Sequence, residues 1–145
     1  MSNFLDASKL VAKISTGIYA VECANLTFLQ HPAKLKLPIN AALKKWRSEI
    51  KRLSAMQSVF AATGSISALT VNYYEPNRKH LAAGLALFSL FPYTLIAILP
   101  VNLKLLDENL DQNSEEARKL LEKWGTLHSV RTAIGIISLA ALLLS

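Results

Sequence analysis

The sequence predicts an all-α fold, namely an integral membrane bundle of four transmembrane helices with a short amphipathic helix in the first loop. The main observation is four apolar segments, at residues 10–30, 53–71, 81–101 and 126–144. Each has close to the roughly 20 residues that a helix needs to cross a hydrocarbon core of about 30 Å. A soluble four-helix bundle would carry a polar stripe at the helical period, and residues 81–101 carry none.

The length of 145 residues predicts a single membrane domain spanning residues 1–145. Four spans and their connections leave no room in it for a separate soluble catalytic domain. The one cysteine, Cys23, lies inside the first apolar segment and has no second thiol to pair with. This excludes an internal disulfide and a C-x-x-C thiol relay, and it favours a packing role for Cys23.

The distribution of basic residues orients the predicted spans. Of the 16 Lys and Arg residues, most lie in the first and third loops, between spans one and two and between spans three and four. Since cytosolic loops of membrane proteins are enriched in Lys and Arg, we expect loops 1 and 3 in the cytosol and both termini on the opposite side. The loop residues are Lys34, Lys36, Lys44, Lys45, Arg47, Lys51 and Arg52 in loop 1, and Lys104, Arg118, Lys119 and Lys123 in loop 3.

The basic loops also restrict the partners of the protein. Nucleic-acid binding is not predicted, because the interleaved aromatic residues and groove-entering motifs that would accompany it are missing. Anionic lipid headgroups are the simpler partner, so the lipid bilayer is the expected environment.

Both basic loops carry amphipathic helical patterns. In loop 1, apolar residues at a 4-3-4-3 spacing follow Pro38 and the capping-type Asn40, which predicts a helix at the interface or one that continues into the second span. These residues are Ile39, Leu43, Trp46, Ile50 and Leu53, with Trp46 expected to be an interfacial anchor. In loop 3, Asn113 and Glu116 resemble a capping box that starts a helix running on into the fourth span.

Arg131 is the residue that points most directly to a site. It lies inside the last apolar segment, one turn after His128. A guanidinium within a membrane costs roughly 2.5–3.5 kcal/mol on insertion scales, so it is expected to face the bundle and to have a polar partner. Our candidate partners are Glu22, Asn25 and Asn102, since the cytosolic ends of their spans lie at similar depth.

Helical periodicity groups these residues into faces. Six residues of the fourth span form one stripe: Trp124, His128, Arg131, Gly135, Ser138 and Leu142. In the first span we assign Ser15, Glu22, Asn25 and Leu29 to one face. Convergence of these polar groups is consistent either with a buried ion pair that joins two helices or with a polar pocket near the cytosolic side, and we favour the pocket.

Other chemical signals are weaker. Pro92 and Pro100 interrupt the third span, which either shapes packing or opens space for a ligand beside Tyr93 and Thr94. His31, His128 and a carboxylate could form a non-haem iron triad, but their spacing is not diagnostic. We therefore predict no metal and no cofactor. The sequence also contains no Gly-rich phosphate loop, no G-x-S-x-G and no H-E-x-x-H motif.

Several motifs resemble the anthrone oxygenase-like family of membrane proteins across nearly the whole chain. The first helix is similar in Gly17-Ile18-Tyr19-Ala20 and His31-Pro32-Ala33, and the third in Pro92-Tyr93-Thr94, Pro100-Val101-Asn102 and Leu105-Leu106. The last helix is similar in Trp124, His128 and Arg131-Thr132. The most specific elements are P-x-N and W-x-x-x-H-x-x-R.

This resemblance implies four transmembrane helices and, as in some fungal and bacterial members, oxidation of an anthrone to an anthraquinone with dioxygen. It implies catalytic positions at Asn102, His128 and Arg131. In that chemistry His128 would be the base, Arg131 would stabilise the oxyanion and Asn102 would orient a carbonyl. We expect the lipid-soluble aromatic substrate to contact Glu22, Asn25, Tyr93 and Trp124. The alternative is a non-enzymatic four-helix protein with a structural or scaffolding role.

Overall fold

Four long helices make up the protein, which confirms the predicted all-α class. The structure is a computed structural model and describes every residue from Met1 to Ser145. The first long helix comprises α1 (Ser2–Asn25), a π-helical turn (Leu26–Gln30) and α2 (His31–Leu35), and the second is α3 (Ile39–Tyr74). The third comprises α4 (Arg78–Tyr93), a π-helical turn (Thr94–Ile98) and α5 (Leu99–Leu106), and the fourth is α6 (Glu115–Leu143).

The helices pack as an up-down-up-down bundle. Each long helix lies beside the next one in the chain, and α6 returns to pack against α1. Loops 1 and 3 therefore lie at one end of the bundle, and loop 2 lies at the other end with both termini. We call these the loop 1/3 end and the loop 2 end.

Both π-helical turns end two residues before a proline. The turn Leu26–Gln30 precedes Pro32, and the turn Thr94–Ile98 precedes Pro100. Proline has no N–H for the carbonyl four residues before it, and its ring collides with that carbonyl, which lies in the middle of each π turn. A π-helical turn is wider than an α-helical turn, so it accommodates both the missing hydrogen bond and the proline ring. The first and third long helices are thus widened on the side toward the loop 1/3 end.

The bundle core changes in character along its length. At the loop 1/3 end, Trp46 and Trp124 lie in a large cluster of aromatic and branched side chains. At the loop 2 end, the core consists mainly of small residues, including Ala12, Ala68 and Ala83. Small side chains allow the helix backbones to approach closely.

The amphipathic segment of loop 1 is not a separate short helix. It forms the first part of α3, which runs unbroken for 36 residues from Ile39 to Tyr74. Proline is missing from this stretch, so nothing interrupts the helix between the loop and the apolar segment. The expectation that Trp46 anchors the interface is wrong, because its side chain is 1% exposed and packs against Trp124.

Several basic residues of the loops are used by the fold itself. Lys34 is buried and its Nζ lies 3.0 Å from Glu49 Oε2. Arg47 donates to the carbonyls of Leu105 and Asp107, and Arg118 donates to the carbonyl of Leu35. These contacts satisfy carbonyl groups at helix C-termini, which have no partner within the helix. Part of the basic charge therefore joins the helix ends at the loop 1/3 end.

Two of the four long helices are long and apolar enough to cross a membrane. They are Arg78–Leu106, with a mean hydropathy of 2.0 in its most apolar window, and Glu115–Leu143, with 1.5. The first long helix carries Lys13 and Glu22, and residues 53–71 of α3 carry Gln57 and several hydroxyl side chains, which lowers the hydropathy of both.

The N-terminus of α6 provides a test of the fold. The Ser114 hydroxyl accepts a hydrogen bond from the Ala117 N–H at 3.1 Å, so the cap lies one residue after the predicted Asn113. We expect Ser114→Ala to cost about 1 kcal/mol and to speed hydrogen exchange in the first turn of α6. Asn113→Ala, the matched control, should leave that exchange unchanged. Equal rates of hydrogen exchange in the first turn of α6 in the two variants would contradict the assignment of Ser114 as the cap.

Candidate functional site

Arg131 lies inside the bundle, as predicted. Its side chain is 5% exposed, and its Nε donates to the Tyr19 hydroxyl at 3.0 Å. The guanidinium carbon also lies 5.7 Å from the centre of the Tyr19 ring, within cation–π range. The polar partner therefore comes from the first long helix, but it is a phenol and not one of the predicted residues.

The expected contacts of Arg131 with Glu22 and Asn25 are wrong. Both residues are half-buried, and neither bonds to the guanidinium. The inward face of α1 carries Tyr19 and Cys23 instead. Since successive helical residues are about 100° apart, Glu22 is turned toward the side of the helix, where it lines a shallow depression with Lys13. The substrate contact of Glu22 and Asn25 stays a prediction that is separate from the bonding of Arg131.

The Arg131 guanidinium has no carboxylate partner. The ion pairs of the protein are Lys9–Glu75 and Lys34–Glu49, and neither involves Arg131. Of its five N–H donors, only the one on Nε is hydrogen-bonded within the protein. The site thus carries a buried positive charge with donors available to an oxygen atom of a ligand.

His128 is fixed by hydrogen bonds from two other helices. Its Nδ1 lies 3.1 Å from Thr27 Oγ1, and its Nε2 lies 3.2 Å from the side-chain amide of Gln57. Thr27 Oγ1 is in turn 2.6 Å from Thr132 Oγ1, and Thr132 donates to the Cys23 carbonyl at 3.1 Å. These contacts join the first, second and fourth long helices through buried polar groups.

Two arrangements of protons fit this chain, because each threonine hydroxyl has one proton to donate. In the first, Thr132 donates to the Cys23 carbonyl, Thr27 donates to Thr132 and Nδ1 of His128 donates to Thr27, so Nε2 keeps a lone pair that the Gln57 NH₂ group faces once the amide is turned. In the second, Thr132 donates to Thr27 and Thr27 donates to Nδ1, so Nε2–H donates to the Gln57 Oε1 that lies 3.2 Å away.

Trp124 packs against both histidines of this end of the bundle. Its ring stacks on His128, with centroids 4.9 Å apart and an interplanar angle of 19°. It also contacts His31 at 5.1 Å, and His31 Nε2 donates to the Leu121 carbonyl at 2.8 Å. Burial lowers the pKa of His31, so its ring is neutral at neutral pH. Because the Trp124 ring stacks on the His128 ring, Trp124 holds the plane of that imidazole.

A small polar cavity lies beside His128 and Arg131. Its free volume is about 10 Å³, close to the minimum for one water molecule. Asn102, Gln57 and Trp124 line it, each with a buried polar atom that has no partner in the protein. Asn102, Trp124, His128 and Arg131 thus meet around one cavity, as the sequence predicted for a pocket.

A second pocket opens between α3 and α4 on the outer side of Arg131. Its volume is about 180 Å³. It is lined by Ser58, Ala61, Leu90, Phe91, Thr94, Leu95 and Arg131. Because Thr94 and Arg131 line both cavities, the guanidinium lies between the mainly apolar side pocket and the small polar cavity.

Tyr93 lines neither of these cavities. Its hydroxyl donates to the Leu127 carbonyl at 2.7 Å, which joins α4 to α6. The residue that reaches both cavities is its neighbour Thr94, the first residue of the second π-helical turn. The substrate contact of Tyr93 stays a prediction, and Thr94 is the residue of this pair that lines the cavities.

The side chains that could bind a metal ion lie apart from one another. The side chains of His, Cys, Asp and Glu do not form any group of three that could hold a metal ion. Glu22, the carboxylate nearest to the site in the sequence prediction, lies on the side of α1 and not beside His128.

Sequence reasoning missed four residues that build the site. Tyr19, Thr27, Gln57 and Thr132 supply most of its hydrogen bonds. A signal was available for two of them, because Tyr19 and Thr27 lie in the series Thr16, Tyr19, Cys23, Thr27 at helical spacing. Gln57 is the one carboxamide residue in the second apolar segment.

Comparison with known proteins identifies the family of the chain. A family model described as "Anthrone oxygenase" matches residues 46–141. The matched range contains Gln57, Asn102, Trp124, His128 and Arg131, whereas the first long helix with Tyr19 precedes it. No curated protein and no solved structure matches the chain.

The bond between Tyr19 and Arg131 provides a test of the site. Tyr19→Phe keeps the ring but removes the hydroxyl acceptor of Arg131 Nε, and hydrogen bonds to charged groups contribute about 1.5–3 kcal/mol. We expect a lower melting temperature in detergent or lipid. Tyr73→Phe is the matched control, since Tyr73 is 79% exposed. Equal melting temperatures of the two variants would show that the phenol does not stabilise the guanidinium.

Proposed function

The chain belongs to the anthrone oxygenase family, and from this premise we propose that it is a multi-pass membrane protein that oxidises a lipid-soluble phenolic or polycyclic substrate with dioxygen. One observation carries the proposal. The unpaired Arg131 guanidinium lies between an apolar side pocket and a polar cavity that contains His128. A cation and a base beside an apolar entrance suit a substrate that becomes an anion during the reaction.

Four membrane spans are proposed on the basis of exposed apolar surface. Only 28% and 33% of the two most apolar windows are buried, whereas the core helix of a soluble protein would be mostly buried. The first long helix and α3 also expose large apolar residues to the outside, among them Val21, Phe28, Val59 and Ile66. Lipid would cover these side chains on all four helices.

The side pocket suggests a route of entry from the bilayer. Leu95, at its rim, is 63% exposed on the outer surface of the third long helix. A pocket of about 180 Å³ is only slightly larger than the roughly 150 Å³ cavity that accommodates benzene in an engineered protein core. We infer that one ring of the substrate enters and approaches Arg131, while further rings stay in the lipid.

The proposed reaction starts with removal of a proton. An anthrone has an acidic CH₂ group, and its deprotonation gives an electron-rich enolate. In the tautomer with its proton on Nδ1, where Thr27 accepts from Nδ1–H, His128 takes this proton on Nε2 once the Gln57 amide moves aside. Arg131 donates its free N–H groups to the enolate oxygen. The enolate then reacts with dioxygen, and loss of water yields the quinone, so that anthrone and O₂ give anthraquinone and H₂O.

Electrostatics couples the protonation of His128 to the charge of Arg131. A protonated His128 beside an unpaired Arg131 would place two positive charges in a buried site, which is costly without a nearby anion. The enolate formed in the same step supplies that anion. The proton transfer is therefore favourable only when the substrate oxygen is next to Arg131. Asn102 and Trp124, each with a free polar atom in the small cavity, are suited to orient a second oxygen atom of the substrate.

A second candidate is a non-enzymatic membrane protein with a structural or scaffolding role. The observation that favours it is the continuous chain from His128 through Thr27 and Thr132 to the Cys23 carbonyl, which ties α6 to the first long helix. The same chain would stabilise the bundle without any reaction.

The proposed topology can be tested by cysteine labelling. Single cysteines are introduced as Lys36→Cys in loop 1, Pro76→Cys in loop 2 and Glu108→Cys in loop 3, all at exposed positions. The native Cys23 is buried, so it gives little background. Because basic loops stay in the cytosol, we expect positions 36 and 108 to react from the cytosolic side and position 76 from the other. Reaction of positions 36 and 76 from the same side would overturn the four-span topology.

The proposed activity is tested by oxygen uptake with an anthrone in membranes. His128→Ala and Arg131→Ala should each lower turnover by roughly 10²–10³-fold, because each group acts mainly on the charge that develops in the transition state. Ser129→Ala, between them on α6, is the control with unchanged turnover. Wild-type turnover that survives both substitutions would exclude the mechanism. A wild type that is inactive on phenolic substrates, together with marked destabilisation by Arg131→Ala, would favour the structural role.

A further inference from the structure

A polar cavity lies at the loop 2 end, at the opposite end of the bundle from loops 1 and 3. It has a volume of about 260 Å³ and is formed between α1, the end of α3 and the start of α4. Its polar lining includes Lys9, Lys13, Glu75, Asn77 and His80. The proposed oxidation uses none of these residues.

His80 is the unusual residue of this cavity. Its side chain is 3% exposed, yet both of its ring nitrogens lack a hydrogen-bond partner in the protein. A buried polar group without a partner is destabilising, so such a group is expected to have one in the working protein. Its place is fixed locally, because Asn77 Oδ1 accepts from the backbone N–H groups of Lys79 and His80 at the start of α4.

Among the charged side chains that line the cavity, Lys13 is the one that forms no ion pair. Lys9 Nζ lies 2.6 Å from Glu75 Oε2, so these two charges neutralise each other. Lys79 is directed elsewhere, since its Nζ donates to the Leu144 carbonyl. Lys13 forms neither an ion pair nor a side-chain hydrogen bond and lines the cavity.

Apart from the second carboxylate oxygen of Glu75, the lining side-chain groups without a hydrogen bond are mainly donors. Lys13 contributes its ammonium group, and the ring of His80 contributes at least one N–H. The Asn77 side-chain oxygen is used for capping, which leaves its NH₂ group. Donors around an uncompensated positive charge favour an oxyanion over a cation or a neutral apolar ligand.

We propose that this cavity is a binding site for a phosphate group, held by Lys13, His80 and Asn77. His80 immediately precedes the apolar segment at residues 81–101, so the site lies at the level where phospholipid headgroups meet the bundle. The phosphate therefore comes from a lipid headgroup or from the free ion. The site is independent of the oxidation chemistry around Arg131.

Titration calorimetry of the detergent-solubilised protein tests the proposal with three probes. These are inorganic phosphate, dihexanoyl phosphatidylglycerol and a short-chain diacylglycerol without phosphate, at matched ionic strength. Any affinity tag is removed, because Ser145 also lines the cavity. Binding of either phosphate-bearing probe without binding of the diacylglycerol supports the site. The probe that binds identifies the source of the phosphate, and a failure of both phosphate-bearing probes to bind overturns the proposal.

Substitutions locate the binding within the cavity. Lys13→Gln removes the positive charge and His80→Phe removes the ring N–H donor, and each should weaken phosphate binding by about tenfold or more, as expected for charge-assisted hydrogen bonds. Arg78→Gln is the control, because Arg78 is an exposed cation next to the cavity that does not line it. Lys13 is only half-buried, so its variant remains informative if His80→Phe fails to fold. Equal weakening in Arg78→Gln, or unchanged binding in Lys13→Gln, would overturn the assignment.

Discussion

The rest of the structure depends on the burial of one guanidinium beside a phenol and not beside a carboxylate. Arg131 is held by Tyr19, so its charge is oriented but not neutralised. This contact requires α1 and α6 to lie very close together. Gly135, one turn after Arg131, makes that possible, because a Cβ there would come within 3.0 Å of the Tyr19 ring. The positive character of the site thus follows from a glycine and a tyrosine on facing helices.

The two widened turns connect local backbone geometry with the site. Thr27 lies in the first π-helical turn and bonds to His128, and Thr94 begins the second and lines both cavities. In each case the turn is explained by a proline two residues beyond it. These prolines, which interrupt the α-helical hydrogen bonding, thus accompany the turns that carry Thr27 and Thr94 into the site.

The core changes from aromatic residues at the loop 1/3 end to small residues at the loop 2 end, and this packing keeps the polar groups in position. Trp46 and Trp124 fill the bundle at the loop 1/3 end, and small residues such as Ala12 and Ala83 close it at the loop 2 end. The polar groups around His128 lie next to the aromatic cluster, where stacking on Trp124 fixes the imidazole plane. Rigid packing around them limits their freedom, which is a requirement for a preorganised electrostatic site.

The sequence by itself determined the helical class, the stripe on α6 and the convergence of Asn102, Trp124, His128 and Arg131. All six predicted stripe residues are buried, because helical periodicity fixes which side chains share a face. Only the tertiary structure decided which face of α1 turns inward, and so Tyr19 replaced Glu22 and Asn25 as the partner of Arg131. The α1 sequence offers two polar faces, one with Tyr19 and one with Glu22 and Asn25, and it does not choose between them. The rotation of a helix about its axis depends on the shape of its neighbours, here on the space left by Gly135.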